Sequence, residues 1–404
     1  MILKDTLREI IKSQQQELLL LEEGVKREKL GLIDLSLPYA VILSGIRRCG
    51  KSTLLRQLMK KTGKCYFINF EDPRLVDFEV SDFQKLKEAF KEEYGDRNCY
   101  FFDEIQNIQK WELFVRSLLD KKIKVVITGS NASLLSRELG TRLTGRHVRH
   151  ELFPFSFKEM LIFFNKKANI NSFEEYLKKG GFPEYLKYLK AEILHELLND
   201  VIERDIIVRH KLRESKVIKE MAVYLLTNIG KEFSYNSLKK IFDLGSTNSV
   251  IAFISYFENS YLLFTVPKFA YSLKRQLINP KKVYSIDNGL SNVNSVSFSS
   301  DRGRMLENIV FLHLRRKYNE IFYFKEKNEC DFAVKEKDAI IKSIQVCYEL
   351  TEDNKQREID GLIEAIEMFK LKEGLILTYK QEDEFKVNNK KITVKPVWKW
   401  LLEG

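Results

Sequence analysis

The stretch Gly45-Ile46-Arg47-Arg48-Cys49-Gly50-Lys51-Ser52-Thr53 places two glycines, a lysine and hydroxyls at the spacing G-x-x-x-x-G-K-S. Glycines at those positions let the backbone curl until successive N–H groups face one centre, which suits phosphate oxygens. Lys51 would reach the outer phosphates, and the Ser52 hydroxyl would sit on Mg2+. The apolar run Tyr100-Phe101-Phe102 ends in the successive carboxylates Asp103 and Glu104. Asp103 would join Ser52 in the Mg2+ shell, and Glu104 would orient and polarise an attacking water. Residues 45–53 are therefore expected to hold ATP, and two acids at one strand tip favour hydrolysis over simple retention. Asn131, just past the apolar run Lys124 to Thr128, would bridge the γ-phosphate and the water, or cap the next helix. In the basic run that follows, with Arg137, Arg142, Arg146 and Arg149, an arginine would stabilise charge on a neighbouring copy's γ-phosphate, or the run would form a solvated surface.

Positioning these groups requires strands and helices in alternation. Ala40 to Gly45, Cys65 to Phe70, Cys99 to Glu104 and Lys124 to Ser130 read as buried strands separated by helical segments, which predicts a parallel sheet covered on both faces. Leu7 to Lys29 carries Leu7, Ile10, Ile11, Leu18 and Leu21 at helical spacing, and reads as an exposed helical arm. The rhythm changes at Pro154, after which a helical stretch runs to about Glu203. Glu214 to Val266 has the outline of a winged helix-turn-helix. Its expected reading helix, Ser246 to Phe257, contains no Lys or Arg, so Lys231, Lys239 and Lys240 suit phosphate contact better than base readout. After Pro280 an α/β pattern returns, with a helix at Met305 to Tyr318 and strands near Ile321 to Phe324, Asp331 to Val334 and Ile340 to Cys347.

The 404 residues allow roughly two or three domains of about 150 residues. With 44% hydrophobic and 31% charged residues, the chain can build real cores. Its 68 basic and 57 acidic residues leave +11, which permits nucleic acid as a partner without demanding it. Five scattered cysteines give neither a disulfide framework nor a zinc ribbon, and the histidines form no metal-binding pattern. Lys4 and Asp5 fall where a signal peptide needs its apolar core, and the longest apolar stretches fall far short of the ~20 residues that span a bilayer. A cytoplasmic protein without membrane contact is the expectation.

The strings VILSGIRRCGKSTLL, FFDEIQ, ITGSNASLLS, RLTGRHVRHELFPFSF, GGFPE, KRQLINPKKVYSIDNGL and RGRMLEN together resemble the prokaryotic AAA+-type ATPases that carry a C-terminal domain of unknown function with a restriction-nuclease-like fold. The resemblance implies an α/β protein: a P-loop parallel-sheet core with a helical lid, a winged-helix middle and a nuclease-like α/β end. The corresponding boundaries are 1–34 for the arm, 35–205 for the ATPase with its lid, 206–270 for the winged helix and 271–404 for the last domain. Carried over by position, Lys51 and Ser52 form the Walker A pair, Asp103 and Glu104 the Walker B pair, Asn131 the sensor, and Arg142 or Arg146 the arginine finger. In the last domain Glu307 and Asp331 would supply carboxylates, but Gln345 and Cys347 stand where an acid and a lysine are needed, and strand alternation puts Lys342 on the other face. The expected function is Mg2+-dependent ATP hydrolysis acting on DNA, bound non-specifically, in a homo-oligomer, with a nuclease-like domain that no longer cuts. A nucleotide-switched protein scaffold and an ATP-gated nuclease are the alternatives.

Overall fold

The computed structural model describes residues 2–130, 145–297 and 301–403. The chain divides into two units, Met1–Phe153 and Pro154–Gly404.

The first unit is built on five short apolar strands: β1 (Ala40–Ser44), β2 (Tyr66–Asn69), β3 (Cys99–Asp103), β4 (Lys124–Gly129) and β5 (His147–Glu151). They lie in the order β2-β3-β4-β1-β5, every neighbouring pair parallel. Every residue of β1 and β3 is buried, as continuous apolar strands covered on both faces must be. β5 is different. Its residues His-Val-Arg-His-Glu are half-buried, the composition of a sheet edge, and no apolar run announces it. Helices α2 (Lys51–Thr62), α3 (Asp82–Tyr94) and α4 (Trp111–Asp120) make the crossovers. Because β1 lies between β4 and β5, the carboxyl ends of β1, β3 and β4 converge at a switch in strand order, where open parallel sheets bind ligands.

The N-terminal segment departs from the exposed arm expected of it. Helix α1 (Lys4–Leu20) buries Leu7, Ile10 and Ile11 to 1% exposure or less in the same apolar cluster as Ile68, Phe83 and Phe90. Above this seam Lys4, Arg8 and Lys12 pair with Glu88, Glu92 and Glu93 of α3. The helix reads as polar because its apolar stripe is narrow, and that stripe completes the core. Only its far end is open, with Leu19, Leu20 and Leu21 exposed.

The second unit begins with α5 (Phe157–Phe163), α6 (Ile170–Lys179), α7 (Pro183–Tyr188) and α8 (Ala191–Asp200), the region expected as a lid. There follow α9 (Ser215–Thr227), β6 (Glu232–Phe233), α10 (Tyr235–Ile241), α11 (Thr247–Asn259), β7 (Leu263–Pro267), α12 (Leu273–Ile278) and β8 (Lys281–Ser285). The three strands form an antiparallel sheet in the order β6-β8-β7, so the middle strand comes from beyond residue 270. After α13 (Asn288–Asn294), helix α14 (Arg302–Arg315) leads into β9 (Glu320–Lys325), β10 (Glu329–Glu336) and β11 (Ala339–Val346), an antiparallel trio. Helix α15 (Glu352–Met368) then crosses to β12 (Glu373–Thr378), parallel to β11, and β13 (Asp383–Val387) and β14 (Lys390–Pro396) complete a six-stranded sheet.

Candidate functional site

The loop after β1 adopts the conformation its glycines predict. Gly50 lies at φ 98°, in the left-handed region, and Arg48 at φ 59°. Gly50 is the N-cap of α2 and offers no side chain to the amides of the first turn, which leaves them for an anion favoured by the helix dipole. Lys51 is 5% exposed, and its Nζ donates to the carbonyls of Gly45 and Ile46, each at 3.1 Å. It also lies 3.7 Å from Glu104 Oε1. The Lys51 ammonium and the Glu104 carboxylate thus face one another.

Asp103 and Ser52 meet as expected. Ser52 and Asp103 line the same crevice, although the two come from α2 and the tip of β3. A hydroxyl beside a carboxylate is a hard oxygen donor set, the kind Mg2+ takes together with phosphate oxygens. The residues present therefore fit that ion. Burial pushes the Asp103 carboxyl up to about 6, the Glu104 charge adds to the rise, and hydrogen bonds from Thr128 and Ser52 oppose it.

Glu104 sits at φ 51°, a left-handed conformation that is uncommon for a residue with a side chain. Two contacts hold it there. Its N–H donates to Thr128 Oγ1 at 2.9 Å, and Gln106 Nε2 donates to its carboxylate. Thr128 Oγ1 in turn donates to Asp103. β4 lies between β1 and β3, so one hydroxyl at its end reaches both Asp103 and Glu104. Thr128, which the motif reading passed over, is thus one polar group at this strand tip. Asn131 and Arg142 lie outside the described residues. Arg146 pairs with Asp120 at 2.8 Å. A crevice of about 500 Å³ opens beside Ser52 and Asp103, lined also by Glu17 of α1, Arg56 of α2 and Glu71.

A buried charge with a raised carboxyl pKa has a measurable consequence. A neutral Asp103→Asn side chain removes a penalty on the order of 1–3 kcal/mol at pH 7.5. The wild-type penalty accrues as pH rises from the unfolded value of 3.8 through about 6, so the variant's advantage shrinks toward acid pH. Thermal unfolding of the nucleotide-free protein at several pH values should show Asp103→Asn more stable than wild type at pH 7.5. Its advantage should fall by about half near pH 5.

The second group of expected residues lies around β8, β10 and β11. Glu307 and Asp331 do come together, but a lysine stands between them. Lys282 of β8, 3% exposed, places Nζ 2.8 Å from Asp331 Oδ1, 3.1 Å from Glu307 Oε1 and 2.7 Å from Glu329 Oε1. Tyr284 donates to Glu307 at 2.6 Å. Asp331 Oδ2 accepts from the Val346 N–H at 3.0 Å, and Gln345 Oε1 accepts from the Asp331 N–H at 3.1 Å. The Gln345 amide also donates to Glu358. Cys347 is buried in the apolar cluster with Ile359 and Leu362, which raises its thiol to about 12. Lys342 stacks over Tyr318 instead, on the face that strand alternation predicted. Burial raises the Glu307 carboxyl to about 7, against the pull of Lys282. Burial also disfavours the charged amine of Lys282, but Asp331 and Glu307 more than offset this and hold it protonated. Among the described residues no group of three or more carboxylates, histidines or cysteines is arranged to hold a metal ion. Lys282 went unnoticed in the sequence because it lies on a separate strand, far along the chain from Asp331.

Among the described residues no helix is long and apolar enough to cross a membrane. Residues 38–161 match the AAA domain family, and residues 170–300 match a domain of unknown function (DUF8612). The uncharacterized protein MJ1544 of Methanocaldococcus jannaschii is 38% identical over 393 residues, covering 89% of this chain and 88% of its own. An uncharacterized protein of Haemophilus influenzae is 29% identical over 391 residues, covering 90% and 94%. Domain III of the Thermotoga maritima replication initiation protein DnaA is 14% identical, covers 54% of this chain and 85% of that one, and superposes with a TM-score of 0.22, too low to carry structural inference. Identity of 38% with MJ1544 over nearly the whole of both chains means that this chain belongs to the same family as MJ1544, with an AAA domain over residues 38–161.

Proposed function

We propose that this protein is a Mg2+-dependent ATPase whose nucleotide state governs DNA binding by its second unit. The observation that carries the first half is that Ser52 and Asp103 line one crevice, beside a Lys51 ammonium that lies 3.7 Å from Glu104. The amides of 45–53 and Lys51 bind the phosphates, while Glu104, steadied by Thr128 and Gln106, orients water and accepts its proton. Bound Mg2+ would be held through Ser52 and Asp103 and would neutralise charge on the phosphates. Arg142, or Arg146 after release from Asp120, is our candidate for contact with a second copy's site in a homo-oligomer. The protein so described works in the cytoplasm.

The DNA half rests on the order α9, β6, α10, α11, β7, β8 with its three-stranded sheet, which supports the winged-helix reading. Residues 154–205 are then the lid, and the winged helix begins near residue 206. The connection between β7 and β8 exposes Tyr271, Lys274 and Arg275, which suit backbone contact better than the uncharged start of α11. The helix α14, the antiparallel strands β9 to β11, helix α15 and the parallel strand β12 support a nuclease-like reading of the last region. Lys282 supports its being inactive, since an internal ammonium already neutralises the carboxylates a metal would need.

The test is phosphate release from ATP by the full chain with and without duplex DNA. Release should rise with DNA and be weakened by salt, as phosphate contacts require. No DNA should be cut with Mg2+ or Mn2+. Metal-dependent cutting abolished by Asp331→Ala would instead favour an ATP-gated nuclease. An unstimulated rate would favour the protein-scaffold reading, which the lack of Lys and Arg in α11 already supports.

A further inference from the structure

We propose that Arg27 is a positioning residue of the nucleotide site, fixing the Cys49–Gly50 peptide so that the loop amides face the phosphates. The proposal rests on the ATP-binding reading of residues 45–53.

A phosphate cradle turns its N–H groups inward, so a carbonyl of the loop that points away from the centre must find a donor of its own. At Cys49 that outward side is buried. Arg27, 2% exposed, supplies the donor: Nη1 donates to the Cys49 carbonyl at 2.7 Å, and Nη2 donates to the Phe153 carbonyl at 2.7 Å. One planar guanidinium therefore ties the loop to the segment that extends β5. That segment also backs the loop directly. The Leu152 N–H donates to the Ser44 carbonyl at 2.7 Å, and its own carbonyl accepts from Cys49 Sγ at 3.5 Å.

The fit leaves no slack. A Cβ added at Gly50 would lie 2.7 Å from Arg27 Nη1, and one at Gly45 would lie 2.2 Å from the Leu152 carbonyl oxygen. Both motif glycines thus make room for this packing, and Gly50 also meets the demand of its φ. Arg27 arrives on a strap laid along α2. Arg56 Nη1 donates to the Glu22 carbonyl at 3.1 Å, Gln57 Nε2 donates to that of Val25 at 2.8 Å, and the Arg27 N–H donates to Gln57 Oε1 at 3.1 Å. A strap that carries a buried, doubly bonded arginine to the outside of the cradle contributes to the site although it touches no phosphate itself. Lysine cannot replace it fully, because an ammonium on a single stem lacks the fork that spans two carbonyls.

The deciding measurement is the ATP dissociation constant of the full chain, by titration with a fluorescent ATP analogue, together with KM, kcat and the thermal midpoint. Arg27→Lys, which keeps the charge and one carbonyl contact, should weaken binding about tenfold, and Arg27→Met should weaken it further. KM should rise in parallel with kcat near wild type, because the loop holds ground state and transition state alike. Lys60→Ala, which removes only the exposed pair with Glu23 on the same strap, should bind as wild type does. A merely structural arginine would lower the thermal midpoint and leave the Arg27→Lys constants unchanged. Unchanged affinity and KM in Arg27→Lys would overturn the proposal, whatever the Met variant does. Absence of nucleotide binding in wild type would instead overturn the ATP-binding reading itself.

Discussion

Glu104→Gln is expected to bind ATP as wild type does and to release phosphate about 10²–10⁴-fold more slowly. The amide keeps the size of the carboxylate and can still accept the hydrogen bond from Gln106, so the strand tip should hold its shape. What it loses is the ability to take a proton from water. Lys51→Ala should fail differently. Its Nζ is the buried cation at the mouth of the loop, and its removal should weaken ATP binding by about 10–100-fold, the worth of a charge-assisted hydrogen bond to phosphate. Measuring affinity and single-turnover rate on both variants separates the roles. Native-rate hydrolysis by Glu104→Gln would remove Glu104 from the reaction.

Lys282→Met should cost about 3–5 kcal/mol of stability, the effect of leaving buried carboxylates without their cation. Glu307, Asp331 and Glu329 all contact its Nζ within 3.1 Å, and of the three Glu329 also pairs with Lys325, at 3.0 Å. The Glu307 carboxyl, already raised to about 7 by burial, should rise further once the lysine is gone. A carboxyl with a raised folded-state pKa contributes most below its unfolded value and least above its folded one. The loss should therefore be larger at pH 8 than at pH 5. Urea unfolding of the full chain in a Trp111→Phe background, followed through Trp398 and Trp400, reads the transition of the second unit. Adding Glu307→Gln and Asp331→Asn to the lysine variant should recover much of the loss, since the unpaired charges go with it. A loss under about 1 kcal/mol in Lys282→Met would show that the carboxylates do not depend on the ammonium.

The nucleotide site was legible in the sequence because its chemistry is local. Gly45 to Ser52 fixes a turn and a helix start within one motif, and Asp103 and Glu104 end a strand too apolar to lie anywhere but in the sheet. What escaped was everything that depends on distant partners. Arg27 reads as one more charge in a polar segment, and only the fold brings it to Cys49 and Phe153. Thr128 sits inside a strand whose tip drew attention to Asn131 instead, although the register with β3 delivers the Thr128 hydroxyl to Asp103 and Glu104. β5 carries two histidines and an arginine because it is an edge, so hydrophobic patterning cannot find it. In the last region the ammonium that meets Glu307 and Asp331 comes from β8, across three-dimensional space rather than along one strand, so strand spacing cannot announce it.

Single-turnover release of labelled phosphate from γ-labelled ATP, with wild-type protein in excess, tests the central claim most directly. Phosphate should appear with Mg2+, cease when EDTA removes it, and stay at background in Lys51→Ala. Release by Lys51→Ala at the wild-type rate, or none by wild-type protein that binds ATP with Mg2+ present, would contradict an ATPase built on Lys51, Ser52, Asp103 and Glu104.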